Sequence, residues 1–590
     1  MWLFSKAGPS LAAILGLGLL LGVACGAAAT ATPAPAKAPQ PAAAQPPVPA
    51  APVAAPTATA VPKAAPAATP VSASAVNPGK VTWMIPNFDN ERFDQAFTLR
   101  GDDYARQLHA FLISSDVKDG ARVLVPGIAS KWEISSDGLS WTFTIRKGVR
   151  FHDGTEVTAE DVLWSQRHIF GPQVREYANS SPSLNLSAQT DRIEQTGPDR
   201  VSVTTKTPYA GFPTDMSEAT GHWAGVVYPK RATLHDLQEE AAYDRKPIGA
   251  GIVRLVKHVP ADSMTFERFA DYYYQPKNGF PTDKRVNFTV LDMRLVPEEA
   301  TRVAALRGGD ADIAPVTLAA RKQVEAGGGR LVFGQEGVYF FIRQLGCWNT
   351  QFPCHDKRVR QALQYAINKE LMRDKLYGGT EVMQVKGWSV VTPSTIGYSP
   401  ELDPFPFDPV KARQLLAEAG YPEGKGFGKL VINTWVSPSL PLLPESAQLG
   451  AEFWRRELGL DVEVRVGDAA ALNKAYVLTE DLYGQILWRD NETRIDPSAV
   501  LRSSFATPIV RGRAHNDPEL FALTNNTLAV FDPVEREKAF NSTSRRMRDE
   551  ASEISLGYIN LPWGVGPRIR TWNPYPLSSN PSALHTITLK

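Results

Sequence analysis

The chain has 590 residues, 43% of them hydrophobic and 21% charged, with a formal net charge of +1. That balance is globular, the length asks for two or three domains, and the near-neutral charge excludes a nucleic-acid binder working through a basic field. Three cysteines and nine scattered histidines form no CxxC pair, no zinc spacing and no HExxH, so no metal and no cofactor is expected.

At the start, Lys6 precedes an apolar run from Leu11 to about Val23. It is too short for a comfortable membrane span and reads as a signal peptide over residues 1–25. Its end, Leu21-Gly22-Val23-Ala24-Cys25-Gly26, resembles a bacterial lipobox, in which Cys25 becomes the acylated first residue of the mature chain. Gly22 stands where leucine is usual, and an ordinary signal peptide with an incidental Cys25 is the alternative. Residues 26–78 are roughly two-thirds Ala and Pro. Such a segment cannot bury a core and is expected to be an extended, disordered tether reaching up to about 150 Å.

From Lys80 the composition turns globular, and Val81-Thr82-Trp83-Met84-Ile85 reads as a first strand. Lys131 to Ile134 predicts a strand, Ser136-Asp137-Gly138 its turn, and Ser140 to Arg146 a partner with Trp141, Phe143 and Ile145 on one face. His152-Asp153-Gly154 reads as a further turn rather than as metal ligands or an acid–base pair. Thr158 and Asp161 fit a helix cap. Downstream, Val359, Ala362, Leu363, Ala366 and Ile367 mark one buried helix face. Asn368 caps a second short helix that stops at Gly378-Gly379. Asp408 with Pro409 opens a third helix, which Gly420 ends.

The order of these segments is similar to a known family. The run Val125-Pro126-Gly127-Ile128-Ala129, Trp132-Glu133, Asp137-Gly138, Trp141-Thr142-Phe143, Arg146-Lys147-Gly148-Val149, Phe151-His152-Asp153-Gly154, Thr158-Ala159-Glu160-Asp161-Val162 closely resembles the signature of the peptide/nickel class of solute-binding proteins. Pro247-Ile248-Gly249-Ala250-Gly251, Phe269 to Tyr273, Ala300 to Ile313, Asn349 to Leu363 and Tyr398 to Pro422 keep the family order. The resemblance covers about 80 to 590. It implies an α/β, two-lobed periplasmic-binding-protein fold of class II type with an extra domain in one lobe and mixed sheets flanked by helices. Domain I is expected at 79–113, 245–333 and 555–590, domain II at 114–244, and domain III at 334–554. It further implies an extracytoplasmic, monomeric subunit of an ABC importer, which the lipobox at Cys25 would anchor to the membrane by a lipid. Such a protein closes on a short peptide or similar small polar solute and delivers it to permease subunits. A sensor or chaperone lipoprotein of the same fold is the alternative. An oligosaccharide, nickel chelate or anionic solute is the alternative ligand. No GxSxG elbow or Cys/His pairing supports an enzyme.

In peptide-binding relatives an aspartate after a tryptophan, late in domain III, pairs with the peptide ammonium. Trp488-Arg489-Asp490-Asn491-Glu492-Thr493-Arg494-Ile495-Asp496-Pro497 matches that stretch with about two residues added. It makes Trp488, Arg489 and Asp490 candidate ligand contacts; Arg489 and Arg494 would suit a carboxylate or anionic ligand, with solvated loop charges as the alternative. Tyr339, on the strand entering domain III, and Trp348, Trp388 and Trp435 are the other candidates, each weighed against a packing role. Cys347 and Cys354 are expected to form a disulfide in an oxidising setting.

Overall fold

The computed structural model describes residues 79–590 except 89–90, 95–101, 173, 175–180, 220–223, 232–241, 438–439, 441, 479 and 506–516. The signal peptide, Cys25 and the Ala/Pro tether lie outside the described residues. The strands are β1 (Lys80–Ile85), β2 (Ile113–Lys118), β3 (Ala121–Pro126), β4 (Ala129–Ile134), β5 (Ser140–Ile145), β6 (Thr190–Gly197), β7 (Arg200–Thr205), β8 (Val253–Val259), β9 (Ser263–Arg268) and β10 (Val290–Leu295). They continue with β11 (Ile313–Pro315), β12 (Arg330–Gln344), β13 (Met383–Gln384), β14 (Lys429–Thr434), β15 (Asp461–Val466), β16 (Ile486–Glu492), β17 (Ile554–Val565), β18 (Ile569–Thr571) and β19 (Thr588–Leu589).

One mixed sheet runs in the order β15-β14-β16-β12-β17-β11-β1-β10-β9-β8. Two strands hold its halves together. Antiparallel β12 and β17 pair first through Arg330–Gly334 with Val565–Leu561 and then, past a bulge, through Val338–Ile342 with Ile559–Ile554. The bulge centres on Glu336, whose φ of 49° is left-handed and whose backbone N–H donates to Asn560 Oδ1 at 2.9 Å. A bulge re-aims a strand, and this one falls where one hydrophobic core stops and another starts. The first core spans Val81 to Ile313, takes in Leu528, and resumes on β17 at Trp563; the second spans Val338 to Leu561. On the returning strand the change of core falls near Asn560, inside β17.

The smaller domain is a four-stranded antiparallel sheet, β4-β5-β7-β6, beside the β2-β3 hairpin. Along β5, Trp141, Phe143 and Ile145 are buried and the residues between them half-buried, as the alternation requires. Thr158 and Asp161 cap the helix Ala159–Phe170 reciprocally. The His152 turn is structural. Its backbone N–H donates to Gly249 O at 2.8 Å, Nδ1 accepts from Gly249 N–H at 3.3 Å, and Nε2 lies 3.2 Å from Gly251 O. Those glycines pass so close to Leu108 that a Cβ on Gly249 would sit 2.1 Å from its carbonyl oxygen. His152 thereby pins the smaller domain to the crossover Pro247–Gly251.

That arrangement needs a neutral ring, since Nδ1 accepts. Burial pulls the His152 pKa down to about 4, opposed in part by its bond to Gly251, and burial likewise takes His109 to about 3 and His585 to about 4. A depressed histidine leaves the fold fully stable above the unfolded value near 6.5 and costs stability as pH falls toward the folded value. The loss of unfolding free energy between pH 7.5 and 4.5, from urea titrations, should shrink by about 2–3 kcal/mol in His152→Gln. An unchanged loss would remove His152 from the account.

Candidate functional site

The second core presents a polar face toward the smaller domain. Along β12, Tyr339, Phe341 and Arg343 alternate with Phe340 and Ile342, so the two sets point to opposite sides of the sheet. Register carries this across to β16: Tyr339 faces Asn491 and Phe341 faces Arg489, whereas Phe340 faces Asp490 and Ile342 faces Trp488.

On the first face, Asn491 Nδ2 donates to Tyr339 Oη at 3.0 Å, and the Tyr339 ring stacks on Phe341 with centroids 4.8 Å apart. Burial pushes the Tyr339 hydroxyl up to about 12 and Glu553 adds to this, against the pull of Arg343, Arg494 and Arg489. Arg343 donates to Glu553 at 2.5 Å, to Ser504 Oγ at 2.9 Å and to Tyr476 Oη. Burial opposes its charge, and Glu553, Tyr476 and Tyr339 together more than offset that, so the guanidinium stays protonated. Ser389 Oγ donates to the other oxygen of Glu553. The Arg489 guanidinium lies 5.6 Å from the centre of Phe341, 5.7 Å from Trp435 and 5.3 Å from Tyr476.

The helix Ser498–Phe505 joins this face to the smaller domain. Arg502 pairs with Asp215 at 3.3 Å with both side chains buried, Tyr209 Oη donates to Asp215 at 2.8 Å, and Arg502 sits 4.3 Å from the Tyr209 ring centre. Gly211 lies against Ser498, where a Cβ would come within 2.5 Å of its side chain. One helix thus links the two: its Ser504 accepts from Arg343 and its Arg502 pairs with Asp215, which joins the Tyr339 face to the smaller domain in one buried polar wall.

Of the residues named from sequence, Tyr339, Trp435 and Arg489 come together here. Four others are placed elsewhere. Trp488 points to the opposite face, fully buried, its Nε1 donating to Ser446 Oγ at 2.9 Å and its ring seated where a Cβ on Gly450 would come within 2.0 Å. Asp490 shares that face and accepts from Ser437 Oγ at 3.0 Å. Strand alternation forbids it from facing the same way as Arg489. Trp388 packs edge-on to Phe405 in the core, and its neighbour Ser389 makes the contact to Glu553 instead. Trp348 lies edge-on to Tyr483 beside Cys347 and Cys354, which are joined by a disulfide with Cα atoms 5.0 Å apart. Sequence reading missed Arg343, Tyr476, Arg502, Asp215 and Glu553. Arg343 alone carried a signal, two places past Phe341 on the same strand face.

A cavity of about 60 Å³ lies elsewhere, among Arg106, Arg122, Glu218, Lys284, Tyr575 and His585. It has room for about two waters and not for a peptide. No group of metal-binding side chains occurs among the described residues, and no described helix is long and apolar enough to cross a membrane.

Residues 123–508 match the model of the bacterial extracellular solute-binding proteins, family 5 Middle. The chain belongs to that family. This family 5 chain is 30% identical to the glutathione-binding protein GsiB of Pectobacterium atrosepticum, over 59% of its own length and 61% of that relative's. It is 25% identical to heme-binding protein A of Haemophilus influenzae over 82% of this chain and 88% of the relative. In three dimensions it resembles DppA of Helicobacter pylori, solved with the peptide STSA, with a TM-score of 0.70, 21% identity, and coverage of 87% and 98%. That likeness establishes the two-lobed fold.

Two stability outcomes follow from the faces of β16. Trp488→Ala should cost about 3–5 kcal/mol of unfolding free energy, as removal of a buried core indole does; a loss under 1 kcal/mol would place Trp488 outside the core. Arg502→Met strands Asp215 and should cost about 3–5 kcal/mol, while Arg502→Met with Asp215→Leu recovers most of it. Equal losses in the single and double variants would show that the pair is not coupled.

Proposed function

We propose that the chain is the solute-capturing subunit of an ABC importer. It binds a short peptide or similar small polar solute between its lobes, hands it to permease subunits, and performs no turnover. The observation that carries this reading is the polar wall joined through the helix Ser498–Phe505, to which the smaller domain supplies Tyr209 and Asp215 and the second core supplies Tyr339, Phe341, Arg343, Arg489 and Glu553. A solute held by both sides stabilises the closed arrangement over the open one in proportion to its contacts with each. The bulged β12 and β17 crossovers supply a hinge of few residues. Relatives named for binding glutathione and heme support solute capture and leave the cargo open.

The chain works on the extracytoplasmic face as a monomer, held by a lipid on Cys25 and set off from the bilayer by the Ala/Pro tether. Two acyl signals anchor stably where one does not, and a lipidated N-terminal cysteine supplies such an anchor. Cys25→Ala should therefore move the protein from the membrane pellet to the soluble fraction; retention in the pellet would contradict lipidation. For capture, native mass spectrometry of the purified head should find a single small solute per chain. X-ray scattering should show a smaller radius of gyration with solute than after its removal. An identical radius in both states, with no solute retained, would contradict the reading.

A further inference from the structure

The guanidiniums around Tyr339 outnumber the carboxylates that meet them. Arg343 is matched by Glu553 and Arg502 by Asp215. Asp496 is taken by Arg536 at 2.6 Å. Asp490 is held by Ser437 on the other face of β16. Arg489 and Arg494 remain. Arg494 is only 8% exposed, and its Nε, like that of Arg489, meets no acceptor among the described residues. Neither arginine makes an ion pair there. Both lie within electrostatic reach of Tyr339, and Arg494 also of Asp215; Arg489 is on the Tyr339 face of β16 and Arg494 follows two residues past the end of that strand.

A guanidinium cannot shed its proton inside a protein, so a buried one without a counter-ion is a standing cost to the fold. Arg489 shows that cost. Burial pulls its pKa down, Tyr476 restores part of the fall, and like-charged Arg343 works against that recovery. The rings of Phe341, Trp435 and Tyr476 hold Arg489 through cation–π contact. A guanidinium held at its faces keeps its N–H edge for a planar oxyanion, which it grips bidentately.

We infer that the solute is an anion recognised through a carboxylate, gripped by Arg489 and Arg494 on the Tyr339 face, with a second carboxylate accommodated by the second arginine. This rests on the solute-capture reading above and names the class of cargo. It also separates this chain from recognition through a ligand ammonium, because Asp490 lies behind β16.

The test uses the whole mature chain and a defined panel: the tripeptide Ala-Glu-Ala, its uncharged counterpart Ala-Gln-Ala blocked at both ends, citrate, inorganic phosphate, and the neutral sugar trehalose. Calorimetry should show Ala-Glu-Ala or citrate binding at least tenfold tighter than blocked Ala-Gln-Ala or trehalose. The preference should weaken as salt rises. Arg489→Gln and Arg494→Gln should each lose at least tenfold in affinity. The melting temperature of solute-free Arg494→Gln should equal or exceed that of the parent, since a burdened charge has gone; a fall would assign Arg494 to the fold instead. Binding of trehalose or the blocked peptide as tightly as the acids would overturn the inference and leave solute capture standing. Phosphate binding without carboxylate binding would overturn it in favour of a phosphate site. If no panel member binds, the inference falls, and the solute retained by the purified head in native mass spectrometry decides separately whether solute capture stands.

Discussion

Uncompensated positive charge on the β12–β16 face is the constraint around which the second core is arranged. A charge pair buried with good geometry roughly breaks even against desolvation, and an unmatched charge does not. The fold treats its arginines accordingly. Arg343 is tied to Glu553, Tyr476 and Ser504, and Arg502 to Asp215 beside Tyr209. Arg489 is wedged among three rings, and Arg494 is left with no ion pair among the described residues. Such a local conflict between burial and charge, in an otherwise well-satisfied core, is where function is expected to reside.

The same constraint links the site to the hinge. Tyr339, Phe341 and Arg343 lie on β12 immediately past the Glu336 bulge, so the strand that crosses between the two cores also lines the site. Glu336 itself is fixed on both sides: its carboxylate accepts from Ser394 Oγ at 2.7 Å and its N–H is held by Asn560 of β17. In the proposed closure, a change in how the two cores face each other passes through these few residues, three places from Tyr339 on the same strand. Binding and closure are then one event seen from two places.

Local structure was legible because its causes are local. The Thr158–Asp161 cap, the Trp141-Phe143-Ile145 alternation, the Asp408–Pro409 helix start and the Asn368 cap each depend on neighbours within a few residues, and all appear as read. At the site, Tyr339 and Arg489 could be named from their stretches. Which way each points could not, because the register between β12 and β16 decides it, and a shift of one residue exchanges Arg489 for Asp490. That is why Trp488 and Asp490 were expected beside Arg489 and lie on the opposite face of β16. Asp215 and Arg502 are 287 positions apart, and no pattern along the chain joins them.

The central claim is that Arg489 and Arg494 are kept charged and free of protein counter-ions in order to hold an anionic solute. The most direct measurement is a crystal structure of the mature chain grown with citrate and, separately, with trehalose. The account predicts oxyanion density within hydrogen-bond distance of both guanidiniums in the first and none from trehalose at that place in the second. Either arginine paired with a protein carboxylate in both crystals, or turned out to bulk solvent, would contradict it.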